Sequence, residues 1–243
     1  MLSRWAFELE TMEGQQPSIH WGPMLHGAFM KLWQSKTVEY LHESHMHPFA
    51  QYVEPRFDGR AVWHVHLFGE IFREAEEVLS CLTELHLTKR ACVAIRNAQV
   101  DNISEIAFME KVRQSTHREC TIQFITPCTH KSQGEYLKFP SLPLMFRSLH
   151  LRATGIFPKL YESEDCSGAI AEATRVQRYS LETAPFYVKE TGIVGFRGFI
   201  YLKLPGVEKL LRTANVLIEL AKYTGIGAKT SIGMGGVDVF WGE

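Results

Sequence analysis

Three histidines stand close together in Tyr40-Leu41-His42-Glu43-Ser44-His45-Met46-His47-Pro48-Phe49-Ala50, and His64 and His66 share one face of an expected strand. Imidazole has an unperturbed pKa of about 6.5, so these groups suit proton transfer near neutral pH. Two plainer readings compete for the first cluster. Its histidines would be solvated loop residues, or His42, His45 and His47 would bind a metal together with His64 and His66, since His-x-His in a strand chelates zinc. No convincing carboxylate partner at motif spacing accompanies them, which counts against a metal site, and no cofactor is expected. The five cysteines are odd in number and scattered, without a C-x-x-C pair. They read as reduced thiols packed as small hydrophobes rather than as a disulfide or zinc framework.

A second chemical signal is the run Gly225-Ile226-Gly227-Ala228-Lys229-Thr230-Ser231-Ile232-Gly233-Met234-Gly235-Gly236. Glycines allow positive φ and close backbone approach to a ligand. Successive N–H groups in such a loop form an anion-binding nest, to which Lys229 adds charge. A nucleotide-binding P-loop does not fit. That motif needs Gly directly before Lys, where this chain has Ala228, and a strand before and a helix after, the reverse of the order here. A tight helix–strand connector is the competing structural explanation of the glycines.

The elements that must position these residues follow from periodicity. Leu2 to Glu10 alternates as a strand around Trp5, Phe7 and Leu9. A helix opens near Pro23 and presents Leu25, Phe29, Met30 and Trp33 on one face, with His26 as a packing residue. Phe49 to Val53 and Ala61 to Phe68 read as strands about a turn at 55–59, Glu70 to Leu85 as an amphipathic helix, and Ala91 to Val100 as a strand. The second half repeats the order: a strand at Thr121 to Ile125, a helix at Leu142 to Ala153, strands at Arg175 to Val188 and Ile193 to Leu204. A helix from Val207 to Tyr223 and a short strand from Gly236 to Phe240 complete it. Two β-α-β-β-α-β units imply an α+β protein of tandem ferredoxin-like domains, 1–112 and 113–243, joined near 105–118.

The chain has 243 residues, 45% of them hydrophobic, which suffices for one large core or two small ones. No stretch reaches the roughly 18 apolar residues of a membrane span, and charge appears too early for a signal peptide. A cytoplasmic protein is therefore expected. The net charge is −1, but residues 1–110 hold 9 Lys+Arg against 15 Asp+Glu and residues 111–243 hold 17 against 12. That asymmetry permits a phosphate-binding face in the second half.

Gly-hydrophobic-Gly, five residues, then Gly-hydrophobic-Gly near the C-terminus resembles the signature of the CRISPR repeat-processing endoribonucleases, the Cas six family of the RAMP superfamily. Gly225-Ile226-Gly227, Ala228 to Ile232, and Gly233-Met234-Gly235 fit it without a gap. Phe124-Ile125-Thr126-Pro127 with the later Phe139-Pro140-Ser141-Leu142-Pro143 is similar to that family's approach to its second domain, and Leu25-His26-Gly27-Ala28 to its first helix. The resemblance implies metal-independent cleavage of CRISPR repeat RNA (pre-crRNA): a 2′-OH attacks the adjacent phosphorus, leaving a 2′,3′-cyclic phosphate and a 5′-OH. It also implies a catalytic histidine after the first helix, which favours His42, six residues before Pro48, as general acid or base, with His45 and His47 as the other candidates. Phosphate contacts would come from Lys131, Lys138, Arg147, Arg152, Arg175, Arg178 and Lys229, and base stacking from Tyr136 and Phe139. Gly225, Gly227, Gly233, Gly235 and Gly236 would shape the RNA-binding face. The alternative within the same fold is a non-catalytic subunit that holds a guide RNA in an effector complex. Association with other effector subunits or as a homodimer is compatible with the chain but marked by no particular patch.

Overall fold

The computed structural model describes residues 1–11, 16–33, 47–69, 72–87, 92–159, 161 and 164–242. In the first half, β1 (Leu2–Glu10) lies between β3 (Ala61–Phe68) and β5 (Cys92–Ile103), and β2 (Phe49–Pro55) and β4 (Glu84–His86) take the edges, giving the order β2-β3-β1-β5-β4. Every pairing is antiparallel. Alternation along β1 sends Trp5, Phe7 and Leu9 to one face, where α1 (Gly22–Met30) and α2 (Phe72–Ser80) cover them with Leu25, Phe29, Ala75 and Leu79. The Phe29 ring meets Phe49 and Trp63 edge-on, with centroids at 5.7 and 5.8 Å. Burying each such ring contributes roughly 1.5–3 kcal/mol.

The second half is built alike from β6 (Glu119–Cys128), α4 (Leu142–Ile156), β9 (Arg175–Val188), β10 (Thr191–Lys203), α6 (Glu208–Thr224) and β11 (Val237–Trp241). Its sheet order is β11-β6-β10-β9. Numbered within each repeat, the four main strands of both sheets run 4-1-3-2, the ferredoxin-like arrangement that the sequence pattern implies. A small hairpin, β7 (Lys131–Ser132) with β8 (Glu135–Tyr136), leads from β6 towards α4.

Several elements differ from the sequence reading. The helix expected over Glu70 to Leu85 stops at Ser80, and Glu84–His86 turns back as β4. The join contains α3 (Glu105–Arg113), capped by Ser104, whose Oγ accepts from the Ala107 N–H at 3.1 Å. Its Phe108, Met109 and Val112 pack into the larger, second core with Phe157 and Tyr223, so a boundary between 112 and 113 falls inside this helix. A short α5 (Ser167–Ala173), unanticipated, packs on α4. Among the described residues no helix is long and apolar enough to cross a membrane.

Candidate functional site

The glycine-rich run leaves α6 at Gly225 and is fastened to the second domain from within. Ile226 and Ala228 donate their N–H groups to the carbonyls of Gly235 and Thr129 at 2.9 and 2.8 Å. Gly235 donates to Pro127 at 3.0 Å, and Gly236 to the Thr126 hydroxyl at 2.9 Å. These amides are therefore committed inside the chain rather than offered to an external anion. Glycine is required where the turns are tightest: at Gly227 (φ 84°) a Cβ would lie 2.2 Å from the Thr129 carbonyl oxygen, and at Gly235 (φ 66°) 2.0 Å from that of Ile226. The close approach that glycine permits is thus made by the chain to itself.

Arg152 has a different place from the one expected. From α4 its terminal nitrogens donate to the carbonyls of Thr224 (2.6 Å), Gly225 (2.9 Å) and Gly227 (2.9 Å). Burial lowers its guanidinium to about 10. Its two terminal nitrogens hold the start of the loop rather than reaching outward for a phosphate.

The far side of the loop docks on the first domain. His26 Nδ1 donates to the Ser231 carbonyl at 2.9 Å. Gln51 Nε2 donates to the same oxygen at 3.2 Å and to the Gly22 carbonyl at 3.0 Å, and the Gln51 amide oxygen accepts from Trp63 Nε1 at 2.8 Å. A Cβ at Gly236 would sit 2.5 Å from the Tyr52 ring. One run of backbone thus joins α6, α4, α1 and β2.

This seam is also the root of the histidine segment. The chain enters 34–46 from Trp33, which is buried with its ring 5.6 Å from Phe49, and re-emerges at His47, exposed, with its ring 6.4 Å from the same phenylalanine. The His26 ring stacks on Phe49 at 5.7 Å. His42 and His45 lie outside the described residues. His64 and His66 face the opposite side of β3. His64 Nε2 bonds the Glu54 carboxylate at 2.9 Å beneath the Tyr52 ring, while His66 is buried with Nδ1 donating to the Tyr223 carbonyl at 3.2 Å. Burial holds His66 well below its ordinary pKa, hence neutral, and its Nε2 has no hydrogen-bond partner among the described residues.

The basic candidates spread over the second domain. Lys131, Lys138, Arg147, Arg175 and Arg178 are exposed, and Lys229 is half-buried in a left-handed conformation with φ 62°. The Phe139 ring meets Tyr179 edge-on at 5.8 Å, which brings the segment carrying Lys138 against β9, where Arg175 and Arg178 lie. Arg178 lies over the Tyr201 ring at 5.6 Å. Arg147 sits apart on the helix layer. There it helps lower the Asp165 carboxyl, after the hydrogen bonds from Ser167 and the charge of His150.

Apart from His64, sequence reasoning passed over the open face of the first sheet, where Arg4, Glu8 and Gln99 line a groove of about 760 Å³ together with that histidine. A second groove of about 580 Å³ runs between Glu54 and Phe57 on one side and Gln123, Arg197, Asp238 and Phe240 on the other. Alternation was the available signal, since residues between Trp5, Phe7 and Leu9 must face away from the core. Arg4 bridges the halves there, its guanidinium 5.9 Å from the Tyr223 ring centre and 3.8 Å from Asp238.

Comparison with known proteins gives a consistent result. The family model described as CRISPR-associated endoribonuclease Cas6 matches residues 122–237. The CRISPR-associated endoribonuclease Cas6 of Streptococcus thermophilus is 32% identical over 222 residues, covering 87% of this chain and 88% of the relative. A protein of the same name from Mycobacterium tuberculosis is 27% identical, covering 90% and 71%. Among solved structures, a Cas6 (TTHA0078) product complex superposes with a TM-score of 0.81 at 25% identity, covering 98% of this chain and 99% of that one. A substrate mimic complex of the same protein gives 0.76, also at 25% identity and with the same coverage.

Proposed function

The chain belongs to the CRISPR-associated endoribonuclease Cas6 family and is an endoribonuclease, and from that premise we propose how it cuts CRISPR repeat RNA and which residues take part. The reaction is metal-independent. The ribose 2′-OH beside the scissile bond gives up its proton to a general base and attacks phosphorus. The P–O5′ bond breaks, the 5′-oxygen takes a proton, and a 2′,3′-cyclic phosphate and a 5′-OH remain. Such a displacement needs one or two positioned proton carriers and cationic or N–H donors for the charge on the phosphorane oxygens.

His42 is the first candidate for proton transfer, with His45 and His47 next. The observation that carries this reading is the seam described above. The glycine loop holds His26, His26 stacks on Phe49, and Phe49 lies beside both Trp33 and His47, the two ends of the histidine segment. Trp33 and His47, the described residues that flank this segment, thus lie next to the boundary between the two domains. Lys131, Lys138, Arg175 and Arg178 would contact phosphates along the basic half, with Lys229 at the glycine loop and Arg147 further away.

The test is cleavage of a labelled repeat RNA from the same genome in EDTA, by the native protein and by His42→Ala, with a 2′-deoxy substitution at the cut site. Cutting should survive EDTA, fail on the deoxy RNA and fall about 100-fold or more in the variant. Full activity in His42→Ala would move the role to His45 or His47. Loss of native cutting in EDTA, restored by added metal, would overturn the metal-independent mechanism, and tight binding without any cutting would indicate a guide-holding subunit.

A further inference from the structure

At the free edge of the first sheet, far in sequence from every residue placed in the reaction, β4 and β5 bring three different donor types together. His86 and Cys92 are direct cross-strand partners, and Glu84, two residues before His86, lies on the same face of β4. His86 Nε2 is 3.4 Å from one Glu84 carboxylate oxygen, and Cys92 Sγ is 3.8 Å from the other. One ligand atom from each of the three lies within 4.8 Å of the others. Around a tetrahedral ion with a bond of about 2.3 Å to sulfur and about 2.0–2.1 Å to nitrogen or oxygen, ligand atoms stand about 3.3–3.7 Å apart. Only small side-chain rotations separate this triad from that geometry.

We propose that Glu84, His86 and Cys92 form a binding site for a thiophilic divalent cation, zinc by preference, that clips the short edge strand β4 to β5. The donor set selects the ion. A thiolate and an imidazole favour zinc over magnesium or calcium, which want oxygen only. Binding is a proton exchange with balanced charge. The Cys92 thiol releases its proton to solvent as the S–metal bond forms, His86 binds through the Nε2 lone pair, and Glu84 is already a carboxylate. Residues 87–91 are Leu-Thr-Lys-Arg-Ala and contain no cysteine, histidine or carboxylate, and among the described residues no fourth such group joins the three, so water would complete the shell. The register explains why the site was missed by spacing: the E-x-H and the cysteine belong to two strands, and only the hairpin pairing makes them neighbours.

The site takes no part in cleavage, so its test is independent of the reaction. The metal-stripped protein is titrated with cobalt(II), which should give a thiolate-to-cobalt charge-transfer band in the near ultraviolet, saturating at one ion per chain and displaced by zinc. Zinc should raise Tm by several degrees at saturation, because the ion binds the folded hairpin better than the open chain. Cys92→Ser should abolish the band and His86→Ala should weaken binding at least tenfold, while both keep the native circular dichroism and RNA cleavage. The proposal is overturned if cobalt gives no band at molar excess, or if the band survives in Cys92→Ser and so belongs to another cysteine. It is also overturned if zinc leaves Tm unchanged in the native protein.

Discussion

Replacing Arg152 by alanine would strand the Thr224 and Gly227 carbonyl oxygens that its guanidinium now satisfies and leave that of Gly225 to the Thr224 hydroxyl alone. Unpaired acceptors of this kind cost about 1–3 kcal/mol each and not additively, so a loss of about 2–4 kcal/mol is expected in urea unfolding. Arg152→Lys should recover less than half of it, because an ammonium cannot fork between the strands of carbonyls. A variant that keeps full stability but binds RNA weakly would instead return Arg152 to the phosphate role that its residue type suggests. A second residue-scale prediction concerns His130. It is buried, and burial lowers its pKa to about 4. The folded state therefore refuses a proton that the unfolded state accepts below about pH 6.5. Stability is complete above that value and is lost as pH falls towards 4, with a slope approaching about 1.4 kcal/mol per pH unit. His66 adds to the same trend. Urea midpoints across this range should fall less steeply in His130→Leu than in the native chain, and parallel curves would count against the assignment. Residue types thus announced which groups titrate. Which of them are buried depends on tertiary packing, within the second domain for His130 and between the domains for His66, which no local pattern carries.

Among the elements, the strands were the most legible, because alternation around Trp5, Phe7 and Leu9 or along Ala61 to Phe68 leaves little choice of face. The misreadings fall where apolar residues continue past the end of an element. Leu82 and Leu85 kept the helical period going after α2 had ended, although they reach the core from a turn and from β4. Ser104 was an available N-cap signal for α3, hidden in a stretch read as a connector. The glycine run was found as a motif, but its partners were not legible, since Thr129, Arg152 and Gly22 approach it only in three dimensions. Two glycines separate the effects. Gly27 sits inside α1 with nothing within 4 Å of an added Cβ, so Gly27→Ala should stabilise the protein by about 0.5–1 kcal/mol. Gly227→Ala drives a methyl against the Thr129 oxygen and should lower Tm and cleavage together. If Gly227→Ala left both unchanged, the steric account of the loop would fail.

The whole molecule is a weakly charged protein made of an acidic half and a basic half, which makes its RNA affinity sensitive to salt. Each phosphate contact to a single strand contributes about 0.7 to the slope of log affinity against log salt. Lys138→Ala and Arg178→Ala should each reduce that slope by about this amount and weaken binding similarly for every repeat sequence. An unchanged slope would place the phosphate path elsewhere, for instance along the groove beside Arg4.

The Ser231 carbonyl accepts from both His26 and Gln51, and Gly236 is pressed to the Tyr52 ring, so the two repeats meet along a surface with one fixed register. This bears on how the family can be recombined. A chimera that takes its second half from a relative must bring a matching Gly22, His26, Gln51 and Tyr52 in its first half, or the crossover will yield two folded pieces that do not dock. The exchangeable unit is the docked pair.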